Sequence, residues 1–431
     1  MKYYKNPTAT QWSKIAGRPL ADISQLRQQL QPLLEDIKNR RDDALRQYTG
    51  QFDNVMVENF KISAEEFSIA EQSLSDDLKS AIKLATENIY KFHESQKEPI
   101  VKVETTPGVI CWRKNVGIEK VGLYIPGGSA PLFSSVLMLG IPARIAGCQE
   151  IIVCTPPRPD GSVHPAILYS AGIIGISAVF RAGGAQAIAA MAYGTESIPK
   201  VDKIFGPGNQ YVTAAKQLVS LDGVAIDLPA GPSEVLIIAD ESANPASVAA
   251  DLLSQAEHGA DSQVVLLTTS AHLIEQVNAA IVSQLENLPR RDIAKQSLEH
   301  SRVIYFNTLE ECMEFSNFYA PEHLIIMTEN HDDLAGKIIN AGSVFLGPLT
   351  PESAGDYASG TNHTLPTGAY ARSYSGVSLD SFVKKITFQE ITAAGLETIG
   401  PAIEIMASAE ELDGHRNAVR VRLDDLRRGN E

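Results

Sequence analysis

From position 121 onward, short apolar runs alternate with helical stretches in a rhythm that the first part of the chain lacks. The run at 121–125 ends in Pro126-Gly127-Gly128-Ser129, and further runs follow at 150–155, 178–181, 203–205 and 224–227. Several of them close on glycine, in Gly183-Gly184, Gly206-Pro207-Gly208 and Gly231-Pro232-Ser233. Apolar runs bounded by turn residues read as strands buried on both faces, and their alternation with helices predicts a parallel α/β sheet. Ligands of such sheets normally sit at the C-terminal strand ends. A second series, at 235–238, 264–268, 303–306, 324–327 and 343–346, predicts a second unit of the same kind. Two α/β units in tandem imply a cleft between them.

The segments around these series are helical or polar. Leu33, Ile37, Ala44, Leu45 and Tyr48 share one face of a helix expected over 32–48, and Ser63-Ala64-Glu65-Glu66 has the form of a capping box. Leu78, Ile82, Ala85, Ile89 and Phe92 alternate by three and four, as a long packed helix requires. Positions 347–368 are rich in Gly, Pro, Ser and Thr, and read as a loop outside the core that gathers Glu352, Asp356 and His363. A tail follows, with a strand pattern at 383–388 and helical patterns at 392–407 and from 416 onward.

With 431 residues the chain is too long for one ordinary core, so two large units with smaller appendages are expected. Hydrophobic residues make up 44% and charged residues 21%, a balance that excludes a largely disordered chain. The formal net charge is -15 with no basic stripe, so nucleic acid and anionic membrane are poor partners. No signal-peptide core or membrane span is legible at the start or elsewhere. Cys111, Cys148, Cys154 and Cys312 show neither C-x-x-C nor disulfide spacing, which points to a reduced, cytoplasmic chain.

Chemistry-bearing residues concentrate at three places. Ala320-Pro321-Glu322-His323 sets a carboxylate beside an imidazole where a helix gives way to a strand, since Pro321 biases Ala320 away from helical geometry. A Glu and a His fixed there can share acid-base work near neutral pH. The same dipeptide also reads as a surface pair at a strand start. Gln255 and His258 stand three apart at the end of a helix expected over 244–258, so that they converge on one point; a His that only meets the helix dipole is the simpler reading. Glu410-Glu411-Leu412-Asp413-Gly414-His415 lies at the junction in the tail, where a charged, solvated helix cap is the ordinary expectation. The dinucleotide fingerprint G-x-G-x-x-G is absent, so NAD would have to bind without the usual glycine turn.

Taken together these residues resemble the histidinol dehydrogenase family. The resemblance is carried by Gly122-Leu123-Tyr124-Ile125-Pro126-Gly127-Gly128, Phe205-Gly206-Pro207-Gly208-Asn209, Gly231-Pro232-Ser233-Glu234 and Ser254-Gln255-Ala256-Glu257-His258-Gly259. It continues through Ala320-Pro321-Glu322-His323-Leu324, Ser353-Ala354-Gly355-Asp356-Tyr357 and Glu410-Glu411-Leu412-Asp413-Gly414-His415, in the family's order. It implies two tandem, incomplete Rossmann-like domains: 121–234 for NAD, and 25–120 with 235–365 for substrate and zinc. An N-terminal arm over 1–24 and a C-terminal tail over 366–431 that reaches the partner of a homodimer complete the plan.

By the same resemblance one Zn²⁺ per active site would be held by Gln255, His258, Asp356 and His415, all of ordinary zinc-ligand chemistry and none a thiolate. Tyr124, Gln186 and Asn209 would contact NAD; Ser233, Glu322, His323, His363 and Glu410 would contact the substrate, with the zinc-binding side chains beside it. The family oxidises L-histidinol through L-histidinaldehyde to L-histidine with two NAD⁺, the last steps of histidine biosynthesis. His323 would take the proton in each oxidation, and Glu322 would activate the water that attacks the aldehyde.

Three alternatives stand beside this expectation. A cysteine thiohemiacetal could carry the aldehyde step, and Cys154, at a strand end, is the one cysteine suitably placed; a small buried residue is its simpler reading. A relative acting on another alcohol, such as a sulfonated diol, would use the same machinery, although His363 and Glu410 argue against it. A metal- or nucleotide-binding module without catalysis would have no need of the Glu322-His323 pair.

Overall fold

The computed structural model describes residues 1–19, 23–127, 131–228 and 231–429. Two compact units divide the chain, one comprising Met1–Gln96 and Ile118–Phe382, the other Lys97–Gly117 and Val383–Glu431.

The first unit contains both expected parallel sheets. In the five-stranded sheet Lys120–Tyr124 is central, flanked on one side by Glu150–Thr155 and then Val179–Arg181, and on the other by Lys203–Phe205 and then Ala225–Ile226. The six-stranded sheet repeats this order about Glu234–Ala239, with Gln263–Thr268 and Arg302–Tyr305 on one side, and His323–Met327 and Ser343–Leu346 on the other. Its outer strand is Lys2–Lys5, parallel to Arg302–Tyr305, an addition that the polar Lys-Tyr-Tyr-Lys pattern does not announce. In both sheets the chain goes out to one side and then returns to the other, leaving a switch point beside the first strand.

The strands are the apolar runs themselves. Glu234–Ala239, Gln263–Thr268 and His323–Met327 are buried at every position, as two-sided packing demands. Their alternate residues feed two cores: Val235, Ile237, Val264, Leu266 and Ile325 on one face, Leu236, Ile238, Val265, Leu267, Leu324 and Ile326 on the other.

Of the helices ahead of the sheets, the longest extends from Ile23 to Phe52 and is broken at Arg41 (φ 52°, ψ -123°), a break that the face from Leu33 to Tyr48 does not reveal. The capping box at Ser63 and Glu66 forms, with Ser63 Oγ accepting from the Glu66 N–H. On the helix Asp76–Glu94, Phe92 does not follow Ile82, Ala85 and Ile89 into the core. It is 43% exposed, and His93, four residues beyond Ile89, takes the inward position. Residues 347–368 form more than a loop: Glu352–Tyr357 is a short helix, and Glu352, Asn362, Thr364, Leu365 and Thr367 are buried.

The second unit is a three-stranded antiparallel sheet, in the order Val383–Ile391, Val109–Gly117, Lys102–Thr106, with the helices Ala393–Ala409 and Asp413–Gly429. Gly400 lets these two helices approach, since a Cβ there would meet Leu423 at 2.9 Å. Among the described residues no helix is long and apolar enough to cross a membrane.

Gly206 sits where Lys203–Phe205 ends, at φ +124°, and a Cβ on it would lie 2.0 Å from the carbonyl oxygen of Tyr124. Gly206→Ala is therefore expected to lower stability by more than the roughly 1–3 kcal/mol of a strained backbone conformation alone. Gly147→Ala, at φ +80° with nothing within 4 Å, should incur the conformational term only. Urea unfolding of both variants checks the difference, and equal losses would show that the Tyr124 contact carries no cost.

Candidate functional site

Glu322 and His323 lie at the switch point of the six-stranded sheet, at its amino ends. His323 opens its strand and pairs in register with Val235, next to Glu234. The backbone of Glu234 holds both residues. Its N–H donates to Glu322 Oε2 at 2.8 Å, and its carbonyl oxygen accepts from His323 Nδ1–H at 3.0 Å. A carbonyl oxygen only accepts, so the neutral imidazole carries its proton on Nδ1 and keeps its lone pair on Nε2. Nε2 is buried without a hydrogen-bond partner, 3.8 Å from Asp356 Oδ1.

The turn into this strand is strained. Pro321 was expected to bias Ala320 away from helical geometry, and Ala320 leaves the helix in the left-handed region (φ 55°, ψ 67°), with its N–H on the Ser316 carbonyl oxygen at 2.8 Å. The helix stops there, and Glu322 and His323 emerge buried, 6% and 4% exposed.

The helix Glu352–Tyr357 brings two more carboxylates. Glu352 and Asp356 are four apart, on one face, and His258 completes a cluster whose ligating atoms all lie within 4.8 Å of one another. Gln255, 1% exposed near the end of Pro245–Ala256, faces Glu352: with the amide nitrogen toward the carboxylate, it donates to Glu352 Oε2 at 3.1 Å. The helix ends here, so its negative dipole end adds to the carboxylates.

These charges shift one another. Burial opposes charge on His323, but Glu322, Glu352 and Asp356 outweigh it and raise its pKa well above the ordinary value. Burial, with Asp356, Glu322 and Asp251 beside it, drives Glu352 well up. Burial also works against Asp356, yet His323, His363 and His258 hold it below the usual carboxylate range. So much negative charge with a dipole end and an idle imidazole nitrogen fits a divalent cation, whose charge would offset the field that otherwise protonates His323.

His363 borders the cluster, with Nδ1–H on the Asp356 carbonyl oxygen and Nε2 accepting from Ser135 Oγ, both at 3.0 Å; burial lowers its pKa. Ser135 lies in the first turn of the helix Phe133–Ala146, which follows the central strand of the five-stranded sheet, so this contact joins the two α/β halves. Ser233, next to Glu234, is half-buried, and its carbonyl oxygen accepts from Gln263 N–H at 3.1 Å.

At the carboxyl ends of the five-stranded sheet, Tyr124 is the last residue of the central strand. Its hydroxyl accepts from Gly184 N–H at 3.1 Å, and burial pushes its pKa up to about 12. Gln186, 2% exposed, donates to Asp53 Oδ2 at 3.1 Å. Asn209 is exposed and caps Gln210–Leu221, accepting from Tyr211 and Val212 N–H at 3.0 and 3.1 Å. All three therefore occupy the end of the sheet where ligands of parallel sheets bind.

Comparison with known proteins decides the family. The histidinol dehydrogenase family profile matches residues 16–423. A histidinol dehydrogenase of Bacteroides thetaiotaomicron is 60% identical over 427 residues, 99% of this chain and 100% of its own length. One from Escherichia coli O157:H7 is 53% identical over 423 residues, 97% of this chain and 96% of its own. The crystal structure of histidinol dehydrogenase from Elizabethkingia anophelis superposes with a TM-score of 0.97, at 57% identity and 99% coverage of both chains.

The chain belongs to the histidinol dehydrogenase family.

Of the residues singled out by resemblance to histidinol dehydrogenases, the first unit brings Gln255, His258, Glu322, His323, Asp356 and His363 into one neighbourhood, with Ser233 at its edge. Glu410 and His415 belong to the second unit, where both are exposed, Glu410 as the cap of Ala393–Ala409 and His415 within Asp413–Gly429. Sequence reasoning passed over the central part of Glu234 and the buried position of Glu352. The spacing of Glu352 to Asp356 after Pro351 carried a helical signal; nothing in the sequence marked the backbone role of Glu234.

Asp251, buried on the same helix as Gln255, has its pKa pushed up to about 6 by burial. An unfolded Asp titrates near 4, so in the metal-free protein its contribution to stability falls as pH rises from about 4 to 6, and the penalty is complete above that. Asp251→Asn is expected to flatten this fall and to stabilise the chelated protein at pH 7 by about 1–2 kcal/mol, after allowance for partial solvation. Urea unfolding at pH 4.5 and 7 measures it; a variant less stable at pH 7 would show that the ionised carboxylate is held by a partner.

Proposed function

We propose that this protein is an NAD-dependent L-histidinol dehydrogenase that oxidises the alcohol through the aldehyde to L-histidine, four electrons in all, in the cytoplasm. The observation that carries the reading is the Glu322-His323 pair held on the peptide of Glu234, with His323 Nε2 idle beside Asp356. Gln255, His258 and Asp356 would hold one Zn²⁺, with His415 of the partner subunit, in a homodimer whose tails exchange so that Glu410 of the partner subunit also meets the substrate. Tyr124, Gln186 and Asn209 would bind NAD. When bound, zinc supplies a Lewis-acid charge that orients the amino alcohol, and NAD⁺ supplies the hydride acceptor.

The proton chemistry belongs to the pair. His323 Nε2 takes the hydroxyl proton of histidinol as hydride leaves the same carbon, giving the aldehyde. Glu322 then takes a proton from water as the water oxygen adds to the aldehyde carbon. The former carbonyl oxygen takes the proton that His323 holds from the first oxidation, which gives the hydrate and frees Nε2 again. His323 receives the hydroxyl proton of that hydrate while the second hydride leaves, giving the carboxylic acid. His363, neutral between Asp356 and Ser135, and Ser233 would recognise the substrate at the edge of the cluster.

No covalent thioester is required. Cys154 is fully buried within its strand, and burial raises its thiol far above the range in which a thiolate forms. A structural cysteine accounts for it.

His323→Asn should lower turnover about 10²- to 10⁴-fold, as loss of a general base does, and leave zinc content near one per subunit. Metal loss as complete as in His258→Asn would instead make His323 a ligand. Cys154→Ser should keep most of both oxidations, and selective loss of the aldehyde step would restore a thiohemiacetal. Histidinol-dependent NADH formation, compared with a sulfonated diol, tests the substrate; preference for the diol would overturn it.

A further inference from the structure

Glu234 holds both members of the pair through its peptide, so whatever fixes Glu234 fixes them. Its carboxylate is 2% exposed and is gripped by Arg18, whose Nε and Nη2 donate to Oε1 and Oε2 at 2.5 and 2.9 Å. Gly368 N–H adds a third bond, to Oε1 at 2.8 Å.

Arg18 also holds the strained turn that leads into His323. Nη2 donates to the Tyr319 carbonyl oxygen at 2.8 Å, and the guanidinium carbon lies 3.8 Å from the centre of the Tyr319 ring. The Tyr319 hydroxyl donates to Gln263 Oε1 at 2.8 Å, and Gln263 Nε2 returns to the Gly17 carbonyl oxygen at 3.2 Å. Arm, entry turn and the strand Gln263–Thr268 are thus closed into one ring of hydrogen bonds, to which the central strand is tied through Glu234. Burial works against the Arg18 charge, but Tyr319 and Glu234 outweigh it and raise its pKa, so the cation persists.

We propose that Arg18 is a positioning residue of the reaction: it sets the Glu322 carboxylate and the His323 imidazole through Glu234 and the Tyr319-Ala320 turn, without touching substrate. The proposal rests on the reading of Glu322 and His323 as the catalytic pair. The planar fork is what the role needs, because it reaches both carboxylate oxygens and the carbonyl oxygen at once. A lysine would make fewer of these bonds.

The test is a set of variants of the zinc-loaded protein, assayed below their unfolding temperatures. Arg18→Met should lower kcat about 10- to 100-fold for both histidinol and histidinaldehyde, the scale of a small misplacement of catalytic groups. Zinc content should be unchanged, and KM for substrate and for NAD should stay within about threefold. Arg18→Lys should fall between Arg18→Met and the parent, and it carries the test if the methionine variant does not fold. The decisive comparison is Arg18→Met placed on His323→Asn: a residue acting through the pair should add less than about a twofold further loss there. A multiplicative loss, or an Arg18→Met variant with parental kcat, would overturn the proposal. If His323→Asn alone retains turnover, the catalytic reading itself fails, whatever Arg18 does.

Discussion

Four carboxylates, those of Glu234, Glu322, Glu352 and Asp356, converge at the amino ends of the central strands of the six-stranded sheet, and their repulsion in a largely buried setting has to be met by positive charge. Glu234 has its counter-ion in Arg18, fork to carboxylate. Glu322 is met by a peptide N–H and by the imidazole beside it, 3.5 Å from Nδ1. Asp356 has the imidazoles of His323, His363 and His258 beside it and Glu352 has that of His323, yet among the described residues neither is met by an arginine fork, and their charge, together with the helix end at Gln255, leaves room for a divalent ion. Under the proposed function the arrangement separates tasks by charge: an arginine where geometry must be permanent, and a metal where substrate would be gripped and released.

The two sheets share one strand order but gather their candidate site residues at opposite ends. The five-stranded sheet offers its carboxyl ends, where Tyr124 and the turn at Gly206 lie, which suits a dinucleotide held by backbone groups. The six-stranded sheet offers its amino ends, where helix C-termini point and cations are favoured. Under the proposed function one topology, used from both directions, would supply sites of opposite preference, and the Ser135 to His363 contact joins the two halves.

Much of this was legible in the chain. The two series of apolar runs correspond to ten strands of the parallel sheets, because buried parallel strands must be apolar throughout and helices between them cannot be. The outer strand Lys2–Lys5 was not legible, since an edge strand tolerates polar residues on its open side. Phe92 misled because apolar character alone does not distinguish two adjacent positions on a helix; the neutral, backbone-bonded His93 fills the inward one. In the site, residue types carried Glu322, His323, Gln255, His258 and Asp356. Glu234 and Arg18 were hidden for a physical reason: one acts through its peptide, the other through contacts more than 200 residues away in sequence, and no local pattern records either.

The claim on which the rest turns is that one adjacent Glu-His pair serves two successive oxidations. It is tested most directly by counting NADH formed per L-histidinol consumed by the zinc-loaded protein, followed to completion. Two per substrate, lost on chelation and regained with Zn²⁺, is the predicted result. One per substrate, with free aldehyde accumulating, would contradict the part given to Glu322 and leave His323 as the base of a simple alcohol dehydrogenase.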